Sequence, residues 1–374
     1  MERVSVLFLD RRGAGPVYSL EMAKALLDEG GRLQLFISTY VDNLDAWKEC
    51  FSCDDRVELH IIPTYRNLLE FILSLFNIFL FKNICRQIVA FAPLCVYCPF
   101  VPLWSFILFR FLRRKHIRIV STIHDVILHT GEIKNSFLSY VFEKIHAAEI
   151  KLSDDIILLN TKDVAVLVEK YKKEKYCVIP HACFNYYKTH LGENEFRLKK
   201  TIAFIGRIEY YKGVELLVDA FMSLQHKDIN LLIAGRGDVS SIVDKCRVKR
   251  EQVILINRWI EDHEFQEILD NVDVVVLPYN EATQSGIIPL AFAFGKTVIA
   301  TNVGALSEQV PDGTGFIVNA DKYSIVSALD YLYDNPHLIE QYGHNAFVYA
   351  NTELTWSKSA KLLLNYLSNK QETN

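Results

Sequence analysis

Three polar clusters stand at the ends of strand-like runs, where side chains are free to do chemistry. In "GRIEYYKG" (Gly206–Gly213), Arg207 and Lys212 bracket four residues between an apolar run and an apparent helix. Two cations so placed can neutralise a phosphate-rich leaving group, or they can be solvated surface charges. In "YNEATQSGIIPLAFAFGKTVIATNVG" (Tyr279–Gly304), Glu281 follows the buried-looking "VDVVVLPYN". A carboxylate there requires a hydrogen-bonded partner, either a ligand hydroxyl or a backbone cap. Ser285-Gly286-Ile287 then opens a helix-like run whose first amides could receive an anion. In the first half of the chain, His124-Asp125 closes "RIVSTIHD", and Gly13-Ala14-Gly15 lies between a strand and a helix. A glycine loop at a helix start suits phosphate, but this one is not G-x-G-x-x-G and also fits a tight turn. His124 is a ligand contact or a satisfied structural histidine.

The elements that must carry these residues alternate. "VSVLFL", the glycine loop, "VYSLEMAKALLDEG" and "LQLFIST" read as strand, loop, helix and strand, the opening of a parallel doubly wound sheet. "RIVSTIHD", "DDIILLN" and "KYCVIPHA" continue as strands. A polar stretch between Asn185 and Lys200 is the candidate linker. The pattern restarts with "KTIAFIGRI" (strand), "KGVELLVDAFMSLQ" (helix), "INLLIAGRGD" and "EQVILINRWI" (strands), "EDHEFQEILDN" (helix) and "VDVVVLPYN" (strand). "TVIATNV" and "GTGFIVN" follow as strands, and "NTELTWSKSAKLLLNYLSN" as a terminal helix. The fold expected is α/β, with two Rossmann-like units of similar size. A chain of 374 residues with 50% hydrophobic and 23% charged composition has material for two cores.

Composition excludes other classes. A net charge of −4 carries no global basic field for nucleic acid. The N-terminus lacks a signal-peptide pattern. The longest apolar runs, "FILSLFNIFLF" (Phe71–Phe81) and "PFVPLWSFILF" (Pro99–Phe109), are too short to span a bilayer. A cytoplasmic protein is expected, with its eight cysteines reduced. Cys50/Cys53 and Cys95/Cys98 have C-x-x-C spacing, but "LCVYCPF" reads as a buried strand, and buried thiols are expected rather than zinc.

Taken in order, "GRIEYYKG", "LLIAGRGD" and "NEATQSGIIPLAFAFGKTVIATNVGALSEQV" resemble a GT-B glycosyltransferase of family four, the glycosyl transferases group 1. The resemblance is strong from about Thr201 to Val318 and looser before it. It implies two Rossmann-like domains facing a cleft. Residues 1–190 would bind the acceptor and 191–355 the nucleotide sugar, while 356–374 would form a helix crossing back to the first domain. It implies a retaining transfer from a nucleotide-sugar donor to a saccharide or lipid-linked saccharide, in surface polysaccharide biosynthesis, with neither metal nor cofactor. Glu281, His124, Arg207 and Lys212 would be catalytic. Gly13, Gly15, Gly206, Gly235, Arg258, Ser285, Gly286 and Ile287 would bind the donor.

The family's Glu-x7-Glu pair is incomplete, because Pro289 or Leu290 stands where the second carboxylate belongs. That leaves a non-catalytic sugar-nucleotide-binding subunit as an alternative, beside a GT-B epimerase. The aromatic and basic residues around Arg110, Arg113, Arg114, Lys115 and Arg118 suit a core helix with a solvated end. They equally suit peripheral contact with the inner face of an anionic membrane.

Overall fold

The computed structural model describes residues 2–101, 104–127, 136–184, 197–261 and 263–369. The chain forms two compact units, one of residues 1–180 with 356–374, the other of 181–355. The boundary expected at residue 190, and most of the candidate linker, lie outside the described residues.

The first unit runs β1 (Arg3–Phe8), α1 (Gly15–Asp28), β2 (Arg32–Ser38), α2 (Leu44–Phe51), β3 (Val57–Ile62), α3 (Leu68–Ser74) and α4 (Ile78–Phe91). It continues through β4 (Cys95–Cys98), α5 (Ser105–Arg113), β5 (Ile119–Ile123), α6 (Ser136–Leu152), β6 (Asp155–Leu158), α7 (Asp163–Tyr171) and β7 (Tyr176–Val178). Its seven-stranded sheet has the order β3-β2-β1-β4-β5-β6-β7. The apolar runs form the central strands because helices cover both faces of such a sheet. Accordingly β1, β4 and β5 are buried along nearly their whole length.

The second unit runs β8 (Thr201–Ile205), α8 (Val214–Ser223), β9 (Asn230–Ala234), α9 (Ser240–Lys245), β10 (Val253–Ile256), α10 (Glu264–Asp270) and β11 (Val274–Leu277). Then come α11 (Ile287–Ala293), β12 (Thr297–Thr301), α12 (Leu306–Gln309), β13 (Gly315–Val318), α13 (Lys322–Asp334) and α14 (Pro336–Thr352). Its sheet has the order β10-β9-β8-β11-β12-β13, and the registered strand pairs are parallel.

The terminal segment differs from the single helix expected. The chain leaves α14 after Thr352 and restarts as α15 (Trp356–Asn369). At the break Leu354 is buried, and its carbonyl accepts from Cys183 N at 2.8 Å. The last helix packs on the first unit, where the Trp356 and Tyr18 rings meet edge to face at 4.9 Å. The buried Asp155 carboxylate accepts from Arg118 Nε at 2.7 Å and from Tyr366 Oη at 2.8 Å. Arg118 also donates to the Leu367 carbonyl at 3.2 Å, so one ion pair fastens the helix to β5 and β6.

Cys95 and Cys98 are buried in β4, as the strand reading requires. Cys50 and Cys53 are exposed at the end of α2, which corrects the expectation of buried thiols there. The cause is helical geometry: α2 buries only Trp47 and Phe51, and its other faces meet solvent.

Candidate functional site

In the second sheet β8 and β11 are neighbours, and the strand order runs outward from them in both directions. Such a switch point opens a crevice beyond the carboxyl ends of the strands. The loops that follow β8 and β11 fill its rim, and they are tied together through Tyr210–Lys212, a single 3-10 turn. The Tyr211 carbonyl accepts from Asn280 N at 2.8 Å and from Glu281 N at 3.3 Å. Asn280 Nδ2 donates to the Tyr210 carbonyl at 2.9 Å. Arg207 donates to the Tyr211 hydroxyl at 3.3 Å. Lys212 Nζ lies 3.8 Å from the centre of the Tyr279 ring and 5.1 Å from that of Tyr211. The two cations and Glu281, separate in sequence, are therefore collected around Tyr211.

The join demands Gly213. Its φ is +63°, and a Cβ would stand 1.9 Å from the Pro278 carbonyl oxygen. The neighbouring loop after β9 is seated equally closely, since a Cβ on Gly235 would stand 1.8 Å from the Gly206 oxygen. Gly235 thus lets the two backbones approach at the rim, while Gly206 is set apart by its φ of +137°. Arg258, after β10, is exposed and engaged with Glu264, its Nη1 2.7 Å from Oε2. That pairing pulls the Glu264 carboxyl down to about 2.

Beyond Glu281 the chain turns into the core. Tyr279 is fully buried, its hydroxyl is 3.1 Å from Ser285 Oγ, and burial pushes its pKa up to about 12. Gln309 clamps Ser285 from both sides. Oε1 accepts from Ser285 N at 2.7 Å, and Nε2 donates to the Ser285 carbonyl at 3.1 Å. Ile287 N donates to Ser285 Oγ at 3.3 Å. Two of the three amides expected to face an anion are therefore already bonded within the protein. The physical reason is local: the Ser285 side chain and Gln309 reach those donors first. Pro289 and Leu290 are both buried in α11, and Cys183 Sγ donates to the Pro289 carbonyl at 3.1 Å.

One residue that sequence reasoning missed is His181. It is buried, its Nδ1 donates to the Ala182 carbonyl at 2.8 Å, and Nε2 lies 4.0 Å from where a Gly286 Cβ would be. Burial lowers its pKa, so the ring stays neutral. "KYCVIPHA" offers no signal for this beyond a histidine just past a strand.

In the first unit the switch point lies between β1 and β4. The glycine loop follows β1, with Gly13 exposed at φ +82° and Gly15 buried against the rings of Phe8 and Phe100. His124, just past β5, stacks on Phe100 at 3.7 Å between ring centres. Its Nε2 donates to the Pro99 carbonyl at 3.0 Å, since a carbonyl can only accept. Phe100 thereby joins the glycine loop to His124.

Comparison with known proteins agrees with this architecture. The family model described as "Glycosyl transferases group 1" matches residues 199–335. Alpha-maltose-1-phosphate synthase of Mycobacterium tuberculosis is 32% identical over 178 residues, 43% of this chain and 46% of that protein. The capsular polysaccharide biosynthesis glycosyltransferase CapM of Staphylococcus aureus is 27% identical over 255 residues, 63% of this chain and 66% of its own. The chain spans about half the length of the first of these relatives, at 46%. Among solved structures, a glycosyltransferase from Rickettsia africae superposes with a TM-score of 0.74 at 18% identity, covering 100% of this chain and 99% of that one. Anabaena Alr3699/HepE in complex with UDP-glucose does so with 0.70 at 14% identity, covering 99% and 100%. Both show the fold. Residues 199–335 thus match the model of the glycosyl transferases group 1 family, and the chain carries the GT-B fold of these solved structures as two doubly wound units.

Proposed function

We propose that the protein is a retaining glycosyltransferase that moves a sugar from a nucleotide-sugar donor to a saccharide or lipid-linked saccharide in surface polysaccharide biosynthesis. The observation that carries this reading is the gathering of Arg207, Lys212 and Glu281 around Tyr211 at the switch point of the second sheet. The bond from the anomeric carbon to the diphosphate breaks as an acceptor oxygen bonds to that carbon. The acceptor proton leaves with the diphosphate. Arg207 and Lys212 stabilise the charge growing on the leaving group, in place of a metal, and Glu281 orients the donor sugar through its hydroxyls. In the first unit, His124 and the glycine loop at Gly13–Gly15 meet the sugar and the acceptor. Gly206 and Gly235, packed on each other, shape the loop backbone that faces the donor. Because a solved structure of this fold is a complex with UDP-glucose, UDP-sugars are the first donors to try.

The test is Arg207→Ala and Lys212→Ala in a donor-turnover assay, with the anomeric configuration of the product read by proton NMR. Each variant is expected to lower kcat by roughly 10²–10³-fold, the loss typical of a preorganised charge donor, and the product keeps the donor's configuration. Unchanged kcat in both variants, or an inverted product, would overturn the mechanism. The burial of Pro289 and Leu290 at the place of the second family carboxylate favours one rival, a non-catalytic donor-binding subunit. Donor binding by the wild type with no turnover on any acceptor selects it.

A further inference from the structure

The segment after β3 carries an apolar surface that the first unit does not use. Both of its helices are well formed. Asn67 caps α3 by accepting from Glu70 N at 2.9 Å, and Asn77 caps α4 by accepting from Leu80 N at 3.1 Å. The tip is pinned inward, since Trp104 Nε1 donates to Ser74 Oγ at 2.8 Å and Tyr65 meets Phe71 and Trp104 ring to ring. Phe71, Leu75 and Leu80 pack against that core. The other apolar residues of the same turns face out: Leu69 is 67% exposed, Leu73 61%, Phe76 77% and Phe79 85%. A folded, capped tip that leaves these four large apolar side chains mostly in water, with Ile72 and Ile78 also exposed, marks an interaction surface.

Charge identifies the partner. Lys82 and Arg86 follow Phe79 at helical spacing on α4 and are exposed. From Arg66 to Lys115 the chain carries seven Arg and Lys against one acidic residue, Glu70, although its net charge is −4. A local cationic apolar face on a mildly acidic protein fits an anionic lipid surface. No helix among the described residues is long and apolar enough to cross a membrane, so contact would be interfacial.

We propose that the α3–α4 tip is a membrane-docking element: Leu69, Leu73, Phe76 and Phe79 enter the interfacial layer of an anionic bilayer, and Lys82 and Arg86 contact its phosphates. The transferase reading supplies the purpose, delivery of the first unit to a lipid-linked acceptor, but the docking chemistry stands without it. The experiment is co-sedimentation of the full chain with vesicles of phosphatidylcholine, alone or with phosphatidylglycerol. Wild type is expected to prefer the anionic vesicles by about tenfold or more, with salt weakening the binding. Phe76→Ser with Phe79→Ser is expected to abolish binding to both. Lys82→Glu with Arg86→Glu is expected to remove only the preference for anionic lipid. Wild type that stays in the supernatant overturns the proposal. So does binding unaffected by the Phe pair, or Phe-dependent self-association without vesicle binding, which would make a second copy the occupant. UDP-glucose binding in the absence of vesicles, measured on the same variants, separates the two readings. Vesicle binding with no donor binding leaves the docking element standing and counts against the UDP-sugar transferase.

Discussion

Tyr279 stands outside the proposed reacting residues and holds Lys212 and Ser285 in place. Its ring lies under Lys212 Nζ, and its hydroxyl reaches Ser285, which Gln309 clamps in turn. The two functions of the side chain separate by substitution. Tyr279→Phe keeps the ring and gives up one hydrogen bond, a loss of about 1 kcal/mol, so turnover should fall less than about tenfold. Tyr279→Leu also removes the cation–π contact, worth up to about 2 kcal/mol where desolvated, and turnover should fall roughly 30-fold or more. Steady-state kcat and KM beside melting temperatures check this; equal losses for both variants would show that the ring does not seat Lys212. At this scale the sequence exposed types and spacing well. Arg207, Lys212 and Glu281 were legible because each follows a buried strand. The partners were not. Nothing in "GALSEQV" announces that Gln309 takes the Ser285 amide, and nothing in "IPHA" places His181 near Gly286. Such contacts depend on which loops the sheet order makes neighbours.

At the scale of elements, the joint between the loops after β8 and β11 is the vulnerable point. Gly213→Ala forces a Cβ into the Pro278 carbonyl from a left-handed backbone. The strain of a non-glycine residue there, roughly 1–3 kcal/mol, adds to the clash. The second unit is expected to lose several kcal/mol of stability in chemical denaturation. A variant as stable as wild type would show that the two loops are not locked. The central strands were legible because they are unbroken apolar runs bounded by polar residues. β3 was not, since it is an edge strand of mostly half-buried residues and "VELHII" mixes charged with apolar types. The joint between α14 and α15 was also hidden. Leu354 looks like one more apolar helical position, and only its burial and the bond from Cys183 explain the break. In the apolar run from Phe71 to Phe81, composition alone could not divide the inward residues from the outward ones. That division depends on where Tyr65, Trp104 and Phe81 stand.

At the scale of the whole molecule, the restart of the strand pattern after residue 200 announced two α/β units, and two compact units are present. The return of the last helix to the first unit rests on Asp155, Arg118 and Tyr366, three residues no local pattern connects. In the proposed reaction this architecture binds a nucleotide sugar and transfers its glycosyl group, with Glu281 orienting it. The most direct measurement is a calorimetric binding and turnover screen of UDP-, GDP- and ADP-sugars against wild type and Glu281→Ala. One donor class should bind and turn over in the wild type. The variant should still bind it while turnover falls by about 10² or more. Absence of binding by every donor, or turnover that survives Glu281→Ala intact, would contradict that reaction.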